Sequence, residues 1–338
     1  MSQLANAYDT TQAAGANRED IHDIINFIDP TEVPVYSLFN RNSRNIEAVK
    51  HEWTMEELGA PNEDNAKVQG YQYTFDASDT PAKVGNYTQI FDKTYLITET
   101  QEAVKKVGRK SDVNRMKMKR GKEMKRDIDL ALIKNQASVA PSGAVAGRFG
   151  GLPAWLATND SMGGGGSSGG WNSGTSVVDA RTNGAQRALT KLLVDDGMQN
   201  ASVAGGKPRI IMGSPYVKRV FSTFMSDANV AALRTQTSGR QSATLIGAVD
   251  AYVSDFGLID FVPHVQMPDY GAAYARNVYL IDESMARIGW LRKIHEDKDV
   301  PKNGDAIPGV LKAECTLIVD NEKAHALIAD VYGLNAAA

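Results

Sequence analysis

The chain has 338 residues, with 37 Lys or Arg against 40 Asp or Glu and a formal net charge of −3. Hydrophobic residues make up 42% and charged residues 23%, the balance of a folded chain with ample surface to bury rather than a disordered one. The single cysteine excludes an intramolecular disulfide, and the acidic total is unlike that of a dedicated free nucleic-acid binder. No signal-peptide pattern opens the chain and no apolar run approaches the ~18 residues of a membrane span, which predicts a protein kept in a reducing cytosol without a membrane anchor.

Residues 1–20 are small and polar and predict a loose arm. Ile21, Ile24, Ile25 and Ile28 then recur at helical spacing, and Asp29-Pro30 ends that helix. KHEWTMEELGAPN reads as an extended piece closing in a proline turn. NAKVQGYQYTF and NYTQIFDKTYLIT, rich in Tyr, Phe, Thr and Ile, predict two strands of a long hairpin. That hairpin is polar on both faces, so it needs a partner to rest on.

A basic run follows. Lys105, Lys106, Arg109, Lys110, Arg115, Lys117, Lys119, Arg120, Lys122, Lys125 and Arg126 are opposed only by Asp112 and Glu123, so 105–126 carries nine net positive charges. Ser111 or Asp112 can cap a helix. Met124, Ile128, Ala131 and Leu132 form an apolar stripe at i, i+4, i+7 and i+8. The pattern predicts a helix over 111–136, about 39 Å long at ~1.5 Å per residue.

Further on, SMGGGGSSGGWNSG satisfies G-x-G-x-x-G at Gly164, Gly166 and Gly169, and G-x-S-x-G at Gly166, Ser168 and Gly170. Neither match has the strand–turn–helix context its chemistry needs, and a flexible surface loop is expected. ARTNGAQRALTKLLVDDGM predicts a helix with Ala188, Leu189, Leu192 and Leu193 on one face, closed by Gly197. PRIIMGSPYVKRVFSTF predicts a buried strand, a Ser-Pro turn and a helix opened by Pro215. Strands are expected in AVDAYVSDFGLIDFVPH, ARNVYLID and MARIGWLRKIHED, the last pairing with VLKAECTLIVD across PKNGD. A short helix in KAHALIADVYG ends the chain. The mixture is α+β, with local antiparallel pairings rather than alternating βαβ units.

No constellation carries chemistry. His22, His51, His264, His295 and His325 lack a mate at i+3 or i+4, so no metal site is predicted. Glu56-Glu57, Asp195-Asp196 and Glu296-Asp297-Asp299 read as solvated charge at turns or strand ends. Cys315 reads as a small buried residue, and Trp53, Trp155 and Trp290 as core, with Trp171 an exposed contact. The basic run has no aromatic residues for base stacking and no sequence-reading motif, so it supports non-specific phosphate attraction at most. We expect no enzyme, and no catalytic, cofactor-binding or metal residues. One reading left by the residues is a soluble, non-sequence-specific nucleic-acid-binding protein using 105–126.

The order of pieces points elsewhere. KHEWTMEELGAPN, TQIFDKTYLITETQEAV, GKEMKRDIDLALIKNQA, GGLPAWLAT, RIIMGSPYVKRVFSTF, AYVSDFGLIDFVPHVQMP and AECTLIVDNEKAHALIAD succeed one another over about 18–333. This series resembles the major capsid (head) proteins of tailed bacteriophages, with the Hong Kong 97-type fold. The resemblance implies an N-terminal arm (1–55), an extended β-hairpin loop (56–98) and a peripheral domain (99–155 and 285–322) with spine helix 111–136. It also implies an axial domain (156–284 and 323–338). A structural subunit would follow, self-assembling into hexamers and pentamers of an icosahedral head around double-stranded DNA. It would reside in the virion and assemble in the host cytoplasm, with no cofactor and no membrane. Its partners would be a portal, a separate scaffolding protein and decoration proteins. Under this resemblance the eleven basic residues would face packaged DNA or acidic surfaces of neighbouring subunits, such as Glu56 and Glu57.

Overall fold

The computed structural model describes residues 32–334 except 57, 74, 76–79, 106–109, 225–250, 255, 298 and 303. The predicted arm and the Ile21–Ile28 helix therefore lie outside the described residues. The first half of the chain forms helix α1 (Pro34–Arg41), strands β1 (Arg44–Asn45), β2 (Lys50–Met55), β3 (Ala82–Tyr87) and β4 (Gln89–Thr98), and helices α2 (Glu99–Ala103), α3 (Asp112–Ile133) and α4 (Leu152–Trp155). Short strands β5 (Asp160–Ser161), β6 (Gly170–Asn172) and β7 (Val177–Asp179) lead to α5 (Lys191–Val203), β8 (Ile210–Gly213) and α6 (Pro215–Phe224). After these come β9 (Ala251–Ser254), β10 (Gly257–Pro263), α7 (Met267–Tyr270), α8 (Ala272–Ala275) and β11 (Val278–Ile281). Strands β12 (Ala286–Asp297), β13 (Ala306–Val319) and β14 (Ala326–Ile328) complete the described part.

Two larger sheets organise these elements. The first runs β1-β12-β13-β4, with β12 and β13 antiparallel across the polar turn, as their patterns predict. Along β4, Phe91, Tyr95 and Ile97 point inward while Ile90 and Leu96 face outward, the period-2 alternation of a strand with one buried face. Helix α3 lies against β4 and β13, burying Met124, Ile128, Ala131 and Leu132 as the stripe requires. Ser111 caps it, its Oγ accepting from the Asn114 N–H at 3.2 Å. The helix stops at Ile133 rather than 136, because the next residues find better partners outside it. The Asn135 side chain bonds the backbone of Arg181 in both directions, and Gln136 Nε2 donates to the Phe149 carbonyl at 2.9 Å.

The second sheet runs β5-β14-β11-β8-β10-β9 and is mixed, since β8 pairs parallel with β10 and β14 parallel with β5. The expected local antiparallel pairings are present, and three parallel ones, β1 with β12, β8 with β10 and β5 with β14, stand beside them. One face shares the main core with α1, α3 and the first sheet, and the other packs on α5 and α6 through Val194, Met198, Val217 and Phe221. Burial on both faces explains the error over 323–333: Ala326–Ile328 form a strand, after a 3-10 turn at Glu322–Ala324. A run buried on both sides has no polar stripe by which strand and helix could be told apart. Similarly, the helix predicted from 180 starts only at Lys191, capped by Thr190, so Ala188 and Leu189 precede it and Leu192 is exposed. Gly197 lies inside α5, where a Cβ would come within 2.7 Å of Leu280; it serves close packing, not termination.

The long hairpin is also redrawn. Strand β3 pairs with β2, from Lys50 opposite Tyr87 to Met55 opposite Ala82, while β4 departs to pair with β13. Residues 65–75 hold no strand among those described, and Leu58, Val68, Tyr73 and Phe75 are 99%, 77%, 76% and 97% exposed. The Asn86 side chain pegs the ribbon base, donating to the Leu317 carbonyl at 2.8 Å and accepting from the Gly150 N–H at 2.8 Å.

The glycine-rich segment is packed rather than free. Ser167 and Thr182 bridge, and Asp330 accepts from the N–H groups of Gly163 and Gly184. A Cβ on Gly163 would sit 1.8 Å from the Ala185 carbonyl oxygen, whereas one on Gly164 meets nothing within 4 Å. Gly163→Ala should therefore lower subunit stability by about 1–3 kcal/mol, and Gly164→Ala should leave it within about 0.5 kcal/mol. Urea midpoints of the unassembled variants check this contrast. A second expectation concerns His325, fully buried with Nδ1 accepting from the Asp282 N–H at 3.1 Å. Burial pushes its pKa down to about 4. The unfolded chain takes up a proton near pH 6.5 that the native ring refuses, so this contribution is intact above about 6.5 and lost as pH falls toward 4. Replacing His325 with Asn should flatten the fall in urea midpoint between those pH values.

Candidate functional site

The basic run is the strongest charge feature of the sequence, and the fold spends much of it internally. Lys117 Nζ lies 2.5 Å from Glu296 Oε2 on β12. Arg115 Nε reaches Asp112 at 3.3 Å, and Arg120 and Lys119 approach Glu123 at 2.6 and 3.9 Å. Arg126 Nε donates to Gln266 Oε1 at 3.2 Å, and the Lys125 ammonium stands 5.9 Å from the centroid of the Tyr36 ring. Lys105 and Lys110 are exposed beyond the helix start, and Lys122 is exposed on the helix itself. Lys106, Arg109 and Glu57 lie outside the described residues. Glu56 is exposed and makes no ion pair among the described residues.

Glu296 was expected to be simply solvated, yet it anchors the helix to the sheet. Besides Lys117 it accepts from Tyr95 Oη at 2.8 Å. Burial first, and then Glu296, push the Tyr95 pKa up to about 12. Asp297 is likewise engaged: its bond from Lys312 at 2.5 Å holds its carboxyl below the usual range. Asp195 and Asp196 lie within α5 rather than at a turn.

Sequence reasoning missed a buried polar junction. Asp129, on the inner face of α3, is fully buried with His264, and Asp129 Oδ2 lies 2.6 Å from His264 Nε2. Its Oδ1 accepts from the Tyr36 N–H at 2.8 Å, which ties the entry of α1 to the spine. Gln266 adds a second tie, donating to the Glu32 carbonyl at 2.6 Å while its Oε1 accepts from Arg126 and Tyr270. The available signal was positional: Asp129 adjoins Ile128 and lies three before Leu132, on the apolar side of the helix.

An aromatic stack holds the ribbon base. Trp171, expected to be exposed, stacks on Trp155 with ring centroids 6.2 Å apart and planes 5° apart, and Trp155 lies 5.3 Å from Trp53 of β2. The Lys50 ammonium covers Trp171 at 5.8 Å. Cys315 is buried in β13, and burial pushes its thiol pKa up. Among the described residues no cluster of His, Cys, Asp and Glu could hold a metal, and no helix is long and apolar enough to cross a membrane.

The SU10 major capsid protein family matches residues 6–332. Among curated proteins no significant relative is found. The fold is similar to solved structures at low identity. The Cyanophage A-1(L) capsid asymmetric unit shares 14% identity at a TM-score of 0.63, over 96% of this chain and 100% of that one. A structure from Microbacterium phage Oxtober96 shares 10% identity at 0.60, over 95% and 98%. The holo-SrpI encapsulin complex from Synechococcus elongatus PCC 7942 shares 11% at 0.57, over 98% of both chains.

The junction and the surface pair should respond differently to substitution. Asp129→Ala strands a buried imidazole and a backbone N–H, and should destabilise the subunit by about 3–5 kcal/mol. Lys117→Ala removes a half-exposed pair and should cost about 1 kcal/mol or less. Denaturant titration of the two variants measures the difference.

Proposed function

The chain belongs to the SU10 major capsid protein family and is the shell protein of a phage head; from that premise we propose how this subunit builds the shell. The observation that carries the reading is the loop of residues 56–81. Its base is pinned by Asn86 and the tryptophan stack, yet Leu58, Val68, Tyr73 and Phe75 lie almost bare. Apolar side chains displayed this openly favour burial against another surface, at roughly 25 cal/mol per Å² covered. In a closed shell that surface is a neighbouring subunit, repeated around hexamers and pentamers.

On this reading 1–55 is the arm, whose later part, α1, is packed in the main core, and 56–98 is the extended loop, whose last strand, β4, joins the first sheet. The first sheet with α3 is the peripheral domain, and the second sheet with α5 and α6 the axial domain. The subunit is structural and runs no reaction. It assembles in the host cytoplasm with a portal, a separate scaffolding protein and decoration proteins, and encloses double-stranded DNA. Since Lys117, Arg115, Arg120 and Arg126 are engaged within the subunit, while the half-exposed Lys119 meets Glu123 only at 3.9 Å, Lys105, Lys110 and Lys119 are the described cations we assign to DNA phosphates, without sequence reading.

Electron microscopy of the expressed protein, alone and with its neighbouring phage genes, should show closed shells; discrete monomers under every condition would count against the reading. Replacing 60–79 by a short Gly-Ser linker should leave a folded subunit that no longer forms shells. Charge reversal at Lys105, Lys110 and Lys119 together should give normal shells that retain less DNA, with a shallower salt dependence. Failure of those variants to form shells would assign the three lysines to subunit contacts instead.

A further inference from the structure

Asn183-Gly184 lies on the connection between β7 and α5, with a buried acid and a buried base beside it. The Gly184 N–H donates to Asp330 Oδ2 at 2.9 Å. Arg181 Nη2 donates to Asn183 Oδ1 at 3.0 Å and to Asn277 Oδ1 at 3.0 Å. The side chains of Arg181 and Asp330 are 1% and 4% exposed and approach each other at 3.8 Å. Asn183 itself is exposed, and its Nδ2 makes no hydrogen bond among the described residues.

An asparagine side-chain amide and the next backbone N–H are the two partners of a ring closure to a succinimide. Glycine favours the approach, because no Cβ screens its nitrogen. The step is ordinarily slow: the N–H must lose its proton while the attacked carbonyl oxygen takes up negative charge. Here a carboxylate already holds that N–H, in the place of a general base. A buried guanidinium already holds that oxygen, in the place of an oxyanion donor. Both partners are fixed. Asp330 has a left-handed backbone, φ 59°, uncommon for a residue other than glycine, and its Oδ2 sits between the N–H groups of Gly184 and Gly163, the latter at 3.2 Å. Gly184 is packed so closely that a Cβ would fall 2.3 Å from the Gly163 carbonyl oxygen.

We propose that Asn183-Gly184 is a self-modification site, at which the folded subunit converts Asn183 to aspartate or isoaspartate. The Gly184 nitrogen attacks Asn183 Cγ, Asp330 takes the amide proton, and the charge on Oδ1 rests against Arg181. Collapse breaks the Cγ–Nδ2 bond, and Nδ2 leaves as ammonia with the proton returned by Asp330. One water then opens the succinimide, at Cγ to give aspartate or at the backbone carbonyl to give isoaspartate. The new carboxylate arises beside Arg181, whose Nε and Nη1 are buried without a hydrogen-bond partner among the described residues. A charge-assisted pair there favours the product. All the groups belong to one subunit, so this inference stands or fails apart from the shell reading.

The test is peptide mass mapping of the full-length protein held at neutral pH, folded and in urea, with released ammonia assayed in parallel. Asn183 should convert at least roughly tenfold faster in the folded protein than in the unfolded chain. Conversion that is equally fast or slower in the folded protein would overturn the proposal. Asp330→Asn keeps the size of the side chain, and asparagine tolerates the left-handed backbone. With its urea midpoint showing a folded subunit, this variant should convert Asn183 roughly tenfold more slowly. An unchanged rate in the folded variant would also overturn the proposal, and the comparison of folded with unfolded natural sequence decides it even if the variant does not fold.

Discussion

A single carboxylate inside the protein organises much of what surrounds it. Stripping the charge of Asp129 of water costs several kcal/mol, and the cost is offset only if its oxygens keep good donors. The structure supplies His264 from the end of β10 and the Tyr36 N–H from α1. Because the carboxylate and its two donors come from three elements distant in sequence, the carboxylate is satisfied in only one relative placement of spine, sheet and entering chain. The surrounding apolar contacts of Met124, Ile128 and Leu132 supply the drive for burial but tolerate sliding; the polar junction sets the register.

The same spine shows how a strongly charged helix is accommodated in a slightly acidic subunit. Its cations are drawn inward by acids from other elements, Glu296 above all, or matched within the helix by Asp112 and Glu123. Such half-exposed pairs add little stability each. Their effect is to give the helix a defined face toward the first sheet and to leave a smaller set of cations available to other molecules. Lys93 does the same from the sheet side, reaching Asp127 at 2.6 Å.

The display of the 56–81 loop depends on rigidity at its base. Three tryptophans in contact and the Asn86 peg hold β2 and β3 against the body, so the bare apolar residues beyond are presented from a fixed root. Two of the sequence's misreadings meet here. The glycines flanking Trp171 suggest an exposed residue, but Gly169 and Gly170 have no room for a Cβ against Asp179 and Ala157, and this close approach accompanies the ring lying flat on Trp155. The strand expected over 65–75 has suitable residue types but no partner strand among the described residues, and strand propensity without a partner does not make a strand.

By itself the sequence determined what local periodicity and order can encode. The α3 stripe with its Ser111 cap, the β12–β13 pairing across PKNGD, the Ser-Pro entry to α6 and the burial of Cys315 all follow from nearest neighbours along the chain. So does the ordered series of motifs that resembled the capsid family. Tertiary structure decided the rest: that Asp129 is buried, that Lys117 meets Glu296, that 326–328 is a strand, and that Gly163 has no room for a side chain. The reason is physical. Periodicity shows which side of an element is apolar, whereas the partner of a buried charge and the space beside a glycine are set by residues more than a hundred positions away or by the packing of a neighbouring loop, and these come together only when the core closes.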